Sequence, residues 1–407
     1  MNFLIQKPNP LTVAQYLVIG GLVSIAISPP LANIFIALSL MATLSVSIIR
    51  NQLLDFFKTK LGYACIAFIA VLFSGLVYGI ESNSVIASSI WGWRKFLMLP
   101  IAAAIFMNAP HAKQNLINSF WFICLILVIY SFTIFISPAM QLSDKHLAGI
   151  VVRNHATQGL FFAVAVMIAV ANTLNIKFPN WLRIISGLSV PLFITNIAMV
   201  ATGRSGYVAL IVMAISFIFL HLTKVSLLKK LLLCILGTAV LVGILASTPT
   251  SQQRIELAKH EFTSEIDQTK ETSIGYRLTF WKNTIEMLPK YALLGTGTGG
   301  FEKAYAAQVE GKSGTAGVVT GDPHNQYLKL LVEHGVIGLA VFLSILILLL
   351  WQPTTNPFKA IGVASLLAIA TTSLFNAHFS TFNEGQFIWI FAGSLLASEA
   401  LSMHKKT

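Results

Sequence analysis

The sequence predicts an all-α polytopic membrane protein with about twelve transmembrane helices and one large outer loop between the ninth and tenth. Three observations carry this. The 407 residues are 56% hydrophobic and only 10% charged, whereas soluble domains carry about 25% charged residues. Runs of about 17 or more apolar residues recur, each long enough to cross a hydrocarbon core of about 30 Å. Cations in the short connections gather on one side.

In order, the expected spans cover 11–28, 31–48, 61–80, 94–108, 118–138, 157–174, 183–201, 205–222, 230–247, 334–351, 359–378 and 386–402. The first is read as a retained span and not a cleaved signal peptide. No small-residue cleavage site with a mature domain follows it, and Pro29–Pro30 leads straight into the second. The fourth is the shortest and contains Pro100. The chain thus divides into helices one to nine over 1–247, a loop over 248–333 with helical segments, and helices ten to twelve over 334–407.

Orientation follows from Arg50, Lys58 and Lys60; Lys113; Lys177 and Arg183; Lys224, Lys229 and Lys230; Lys359; and Lys405 and Lys406. All fall on one side, which the positive-inside rule makes the cytoplasm, and an even span count puts both termini there. The net charge of +12 is then largely topology signal and implies membrane lipids, not nucleic acid, as partners. Cys65, Cys124 and Cys234 all lie in spans. The outer loop therefore has no disulfide framework and no thiolate metal set.

The outer side holds the unusual residues. The long loop opens with "SQQRIELAKHEFTSEIDQTKET", read as helical, and continues through "GYRLTFWKNTIEML" to a Gly-rich stretch and "GDPHNQYLKLLVEHGVIG". Long loops of this kind usually serve as lids or binding segments. Asp322 and Pro323 read as the start of a helix, with His324 and Asn325 in its first turn. A plain interfacial cap would account for most such helix starts. Against the topology rule, Arg94, Lys95, Lys145, Arg153 and Arg204 lie on the outer side, where charge near a span end is costly. One arginine, such as Arg204 in "ATGRSGY", reads as an interfacial anchor. Several converging ones beside a helix N-terminus read as an anion site.

Two attractive signals fail. "GTGTGG" satisfies the spacing of a dinucleotide fingerprint, but that pattern needs a strand before it and a βα unit after it. It reads instead as a flexible turn that folds the loop back over the membrane. The outer histidines are too scattered for a metal motif, and Glu333–His334 does not recur at ligand spacing. No metal and no cofactor is expected.

"GYRLTFWKNTIEMLPKYALLGTGTGGF", followed by "DPHNQYLKLLVEHGVIGL", resembles the signature region of the O-antigen ligase and polymerase superfamily, and "TGRSGYVAL" is similar to its upstream arginine motif. The resemblance also covers the twelve-span layout and the large loop. It implies a bacterial inner-membrane glycosyltransferase acting at the periplasmic face without metal or nucleotide. The donor would be a glycan on undecaprenyl diphosphate. The acceptor would be a lipid A–core sugar for a ligase, or another lipid-linked repeat for a polymerase. By position, His324 matches the family's catalytic histidine, Arg204 and Arg277 match its functional arginines, and Arg153 falls at a less certain match.

Elementary chemistry agrees with those roles. A diphosphate gains charge as its glycosyl bond breaks, and fixed arginines can stabilise it. A neutral histidine can take the proton of an acceptor hydroxyl. The dipole of a helix N-terminus favours the neutral ring, while Asp322 opposes it. Asn325 and Tyr327 are candidate substrate contacts, although helix packing is the more ordinary role for Tyr327. Direct attack of one acceptor predicts inversion at the anomeric carbon. The alternatives are a polymerase of the same superfamily, a protein O-oligosaccharyltransferase and a transporter. The oligosaccharyltransferase is disfavoured because the chain is expected to end about five residues after the last span. A transporter would need midplane polar sites, and intramembrane acids are almost absent.

Overall fold

Caps and prolines set the helix starts. Asn9 accepts from the Leu11 amide ahead of α1 (Pro10–Ile25), and Pro29 opens α2 (Pro29–Ser45). After α3 (Ser47–Phe57), the Thr59 hydroxyl caps α4 (Lys60–Tyr78). Short α5 (Asn83–Gly92) passes through a 3-10 turn at Trp93–Leu97 into α6 (Met98–Phe106). Then follow α7 (Pro110–Ile136), α8 (His155–Leu174), α9 (Asn180–Met199), α10 (Arg204–His221) and α11 (Leu227–Ser247). Beyond them lie α12 (Ser273–Tyr291), α13 (Phe301–Val309), α14 (Gln326–Leu350), α15 (Phe358–Thr372) and α16 (Phe382–Leu395). These come from a computed structural model describing residues 9–140, 147–247, 252 and 273–399, which hold no strand. The charge-rich piece that opens the long loop lies outside the described residues, apart from Gln252, as do Lys145, Lys405 and Lys406.

The chain is a multi-pass membrane protein. Among the described residues, α4, α7, α8, α9, α10, α14 and the Leu227–Ile244 part of α11 are long and apolar enough to cross a membrane, seven in all. The bent pair α2 and α3, which meet at 92°, makes a possible eighth. A helix underlies every expected span, but α1, α15 and α16 are shorter than the seven, and the expected fourth span is a 3-10 turn joined to nine-residue α6.

Helix α8 runs through the centre, buried along most of its length. Its Gln158 is fully buried and spends its amide on a hub. The side-chain oxygen accepts from the amides of Val151 and Val152, and the nitrogen donates to Ser131 Oγ, Gly149 O and Asn196 Oδ1. A buried amide left unpaired would cost roughly 1–3 kcal/mol, so the hub fixes the loop that carries Arg153. An aromatic cluster of Phe68, Trp93, Phe96, Phe342, Phe379 and Trp389, mostly edge to face, packs α4, α14 and α16 together.

The Gly-rich stretch corrects an expectation. It is not a flexible turn. Thr296 and Thr298 are buried, and the stretch is stitched into a break in α14. At Gly335 the backbone leaves the helix (φ 63°, ψ −170°). The helical bonding lost there is replaced from outside. The amides of Thr296 and Gly297 donate to Val332 O and Glu333 O at 2.8 and 2.9 Å, and the Val336 amide donates to Ala292 O at 2.8 Å. The Glu333 carboxylate faces the amides of Gly299 and Phe301 at the start of α13. Thr298 Oγ1 donates to Leu72 O and fastens the stretch to α4.

Lys113, expected as a cytoplasmic loop charge, is fully buried. Its ammonium pairs with Glu399 at 2.8 Å and also donates to Ala397 O and Thr354 Oγ1. It is a structural clasp between the start of α7 and the segment after α16.

Gly295 tests the stitch. Its φ is +78°, and a Cβ there would stand 2.4 Å from the Glu333 and His334 backbone. Gly295→Ala should destabilise the detergent-solubilised protein by about 3 kcal/mol. Gly237→Ala in α11, where a Cβ meets nothing within 4 Å, should leave the thermal unfolding midpoint unchanged or raise it slightly.

Candidate functional site

Helix α14 begins later than expected, and this changes where His324 sits. Asn325 is the N-cap. Its side-chain oxygen accepts from the amides of Tyr327 and Leu328 at 3.0 and 3.1 Å. Asp322 is therefore not the cap, and His324 precedes the helix instead of lying in its first turn. Its backbone is left-handed, with φ +54°. The Asp322 carboxylate accepts from the His324 amide at 2.8 Å and holds that conformation. Asn and Asp side chains favour such local turns over continued helix, which is why Asp-Pro-His-Asn stops short of the span.

Helix α12 supports the histidine. Phe280 stacks on the imidazole with ring centroids 6.3 Å apart and planes 23° apart. Trp281 Nε1 donates to Pro323 O at 3.0 Å. Arg277 lies one turn earlier on the same helix, so its side chain shares the face that carries Phe280 and Trp281. Burial and the nearby Arg204 push the Arg277 guanidinium below its ordinary pKa, and Asp322 opposes them. Two guanidinium groups and one carboxylate thus act on each other beside His324. Behind them a small core of Phe280, Met287, Phe301, Tyr305 and Val332 joins α12, α13 and the first turns of α14.

Arg204 opens α10 after Gly203, which has no side chain to fill the cap. Gly159 and Gly206 bring the starts of α8 and α10 together, since a Cβ on either would stand about 3 Å from the other's Cα. The adjacent Ser205 hydroxyl meets Asn376 Nδ2 at 3.1 Å, within the connection from α15 to α16. The same connection holds the His324 segment. The Gln326 amide donates to Ser373 O and Asn376 O, and the Ser380 amide donates to Gln326 Oε1. Tyr327 is directed into the fold, its hydroxyl donating to Ala370 O at 2.6 Å.

Arg153 lies on a second flank, formed by the starts of α8 and α16. Its guanidinium donates to Asn383 Oδ1 at 3.3 Å, next to a polar cluster that sequence reasoning missed. Buried Glu384 accepts from Thr157 Oγ1 and Thr381 Oγ1. Lys95 donates to Ser380 O and Thr381 O. Buried His378 links the flanks, because Glu384, Asp322 and Arg277 all act on it electrostatically. The available signal was "FNEGQ", an acid in the first turn of an apolar helix, since acids at such depth mark function or a deliberate polar network. Among the described residues, no three His, Cys, Asp or Glu side chains gather as a metal set.

Fold and site define a multi-pass membrane protein whose helix starts and extramembrane helices bring arginines and a histidine to one end of the bundle. Residues 188–343 match the family model described as O-antigen ligase, and this match supports membership of the O-antigen ligase superfamily. That family is associated with ligase- or polymerase-type glycosyltransferase activity. The matched stretch contains Arg204, Arg277, His324, Asn325 and Tyr327, while Arg153 lies before it. The chain is also similar to an uncharacterized protein of Haemophilus influenzae, 26% identical over 152 residues, which are 36% of this chain and 37% of that protein. The match thus spans a little over a third of that relative's length.

Capping makes Asn325 testable apart from chemistry. Asn325→Ala should lower stability by about 0.5–2 kcal/mol, while Asn325→Asp, which keeps the acceptor, should unfold near the unaltered protein's temperature. Equal unfolding temperatures for Ala and Asp would show that the cap contributes nothing.

Proposed function

We propose that this protein is an O-antigen ligase-like glycosyltransferase, moving a polysaccharide from undecaprenyl diphosphate to a lipid A–core sugar. It acts at the periplasmic face of the bacterial inner membrane, with twelve crossings and both termini cytoplasmic. The observation that carries this reading is the grouping of Arg204, Arg277, Asp322 and His324 at one end of the bundle, within the stretch matched by the family model.

In this reading Arg204 and Arg277 bind the diphosphate, and Arg153 reinforces positive potential from the other flank. The acceptor hydroxyl attacks the anomeric carbon from the side opposite the leaving group. The bond from that carbon to the diphosphate oxygen breaks, and the arginines stabilise the released anion. His324 takes the hydroxyl proton. One displacement inverts the anomeric centre. Asp322 fixes the His324 backbone and Phe280 stacks on the imidazole before substrate arrives, so little ordering remains to be done at the reactive moment.

His324→Ala should insert and bind donor yet lose transfer by about 10²–10⁴-fold. Transfer at the unaltered rate by a well-expressed variant would remove His324 from the mechanism. Arg204→Lys and Arg277→Lys should each be poor substitutes, because a point charge lacks the planar, two-pronged donor geometry that phosphate favours. Full activity in both would reduce their role to general positive charge.

The deciding experiment reconstitutes purified protein with undecaprenyl-diphosphate glycan and lipid A–core, without nucleotide and in excess EDTA. Full-length polysaccharide on the core is the expected product. Lengthened lipid-linked glycan with no capped core would indicate a polymerase instead. Loss of activity in EDTA, restored by one added metal on dispersed substrate, would overturn the arginine mechanism.

A further inference from the structure

The flank that carries Lys95 and Glu384 also carries an apolar groove. Helices α2, α6 and α16 and the 3-10 turn between α5 and α6 enclose about 430 Å³, lined by Ile36, Leu40, Leu97, Ile101 and Phe382 among others. Across a ridge formed by Trp91 and Arg94 lies a second apolar cavity of about 380 Å³, bounded by Leu72, Phe73 and Leu76 of α4 and Ile90 of α5. Both volumes fall in the range of about 300–1,000 Å³ that small-molecule sites occupy.

Arg94 lines both hollows, and Lys95, Gln386 and Asn33 line the groove. The Arg94 guanidinium lies 4.8 Å over the Trp91 ring and donates to Trp91 O at 2.9 Å. Among the described residues it pairs with no carboxylate. Lys95 also lines the groove, and its Nζ donates to Thr381 O at 2.9 Å. Gln386 is 2% exposed and lines the groove, with its Nε2 lacking any partner. A buried amide donor without an acceptor is costly, and here it stands among hydrocarbon with two cations close by. This combination of donors and apolar walls fits an amphiphile with an anionic head.

We propose that the groove and its neighbouring cavity hold the acyl chains of a phosphorylated glycolipid, the acceptor, with a phosphate on Arg94 and the Gln386 amide. This rests on the glycosyl-transfer reading, which requires two lipid-anchored substrates to meet. Arg204 and Arg277 serve the donor diphosphate on one flank, so the acceptor takes the other. Two hollows divided by one cationic ridge suit a lipid with several chains better than a single linear polyprenyl tail. The head would lie at the correct end of the bundle, since Lys95 holds the connection that also binds Gln326, two residues from His324.

Photo-crosslinking tests the assignment without any turnover. Benzoylphenylalanine replaces Leu40 in the groove or, as a control, Leu188 on α9, 42% and 69% exposed respectively. The full chain is placed in phosphatidylcholine vesicles containing radiolabelled lipid A. Capture should occur at position 40 and not at 188, fall with excess unlabelled lipid A, and resist equal amounts of undecaprenyl diphosphate or phosphatidylglycerol. Arg94→Gln should reduce capture about tenfold, the scale of one lost charge-assisted contact. Equal capture at both positions, competition by undecaprenyl diphosphate or phosphatidylglycerol as strong as by lipid A, or undiminished capture by a folded Arg94→Gln would each overturn the proposal. If that variant does not fold, the competition series in the Arg94 protein decides alone. Capture as expected without transfer would strike only the glycosyl-transfer reading, whereas transfer without capture at position 40 would strike only the groove.

Discussion

The break in α14 at Gly335 is the constraint on which the candidate site depends. A continuous helix would satisfy its own carbonyls and present nothing to the Gly-rich stretch. Once broken, it exposes Val332 O and Glu333 O and frees the Val336 amide, and three backbone bonds from residues 292–297 fill the gap. Those bonds, made where water is scarce, are worth more than their surface equivalents. They fix the end of α12 and the Gly-rich stretch that follows it. Phe280 and Trp281 then have a rigid base from which to hold His324 and Pro323. Local strain at His324 is tolerated because its surroundings over-determine it.

Much of the architecture was legible because a bilayer leaves the backbone few choices. Apolar runs must be helical when no water can bond their amides, so each expected span has a helix beneath it. Arg204, Arg277 and His324 were legible as cations and an imidazole next to apolar spans, and in the structure Arg204 and Asp322 both act on Arg277. Asn325 and Tyr327 were legible as residues, but their geometry was not. One caps α14 and the other bonds Ala370 O, partnerships that depend on contacts distant in sequence or on a one-residue shift of the helix start.

The misreadings share a cause. "GTGTGG" looked flexible because glycine is permissive by itself. The partner that makes it rigid, a broken helix about forty residues later, has no local signature beyond Gly335. An isolated acid such as Glu384 in an apolar run reads as an exception, whereas its partners Thr157 and Thr381 belong to another helix and a turn. Lys113 reads as a loop cation because its carboxylate partner lies near the opposite end of the sequence. Long-range polar pairing is what a linear reading misses.

That last pair has a consequence for how the chain is made. Lys113 and Glu399 are separated by 286 positions. At roughly 5–20 residues per second, ribosomal synthesis leaves the ammonium without its counter-ion for about 15–60 seconds. A buried unpaired ammonium is strongly disfavoured, so the start of α7 must stay wet or neutral through that interval. Its final burial waits for the segment after α16. The clasp therefore acts as a completion signal. The end of the bundle that holds Lys113 closes last, and a chain that stalls before Glu399 lacks the counter-ion that lets it close.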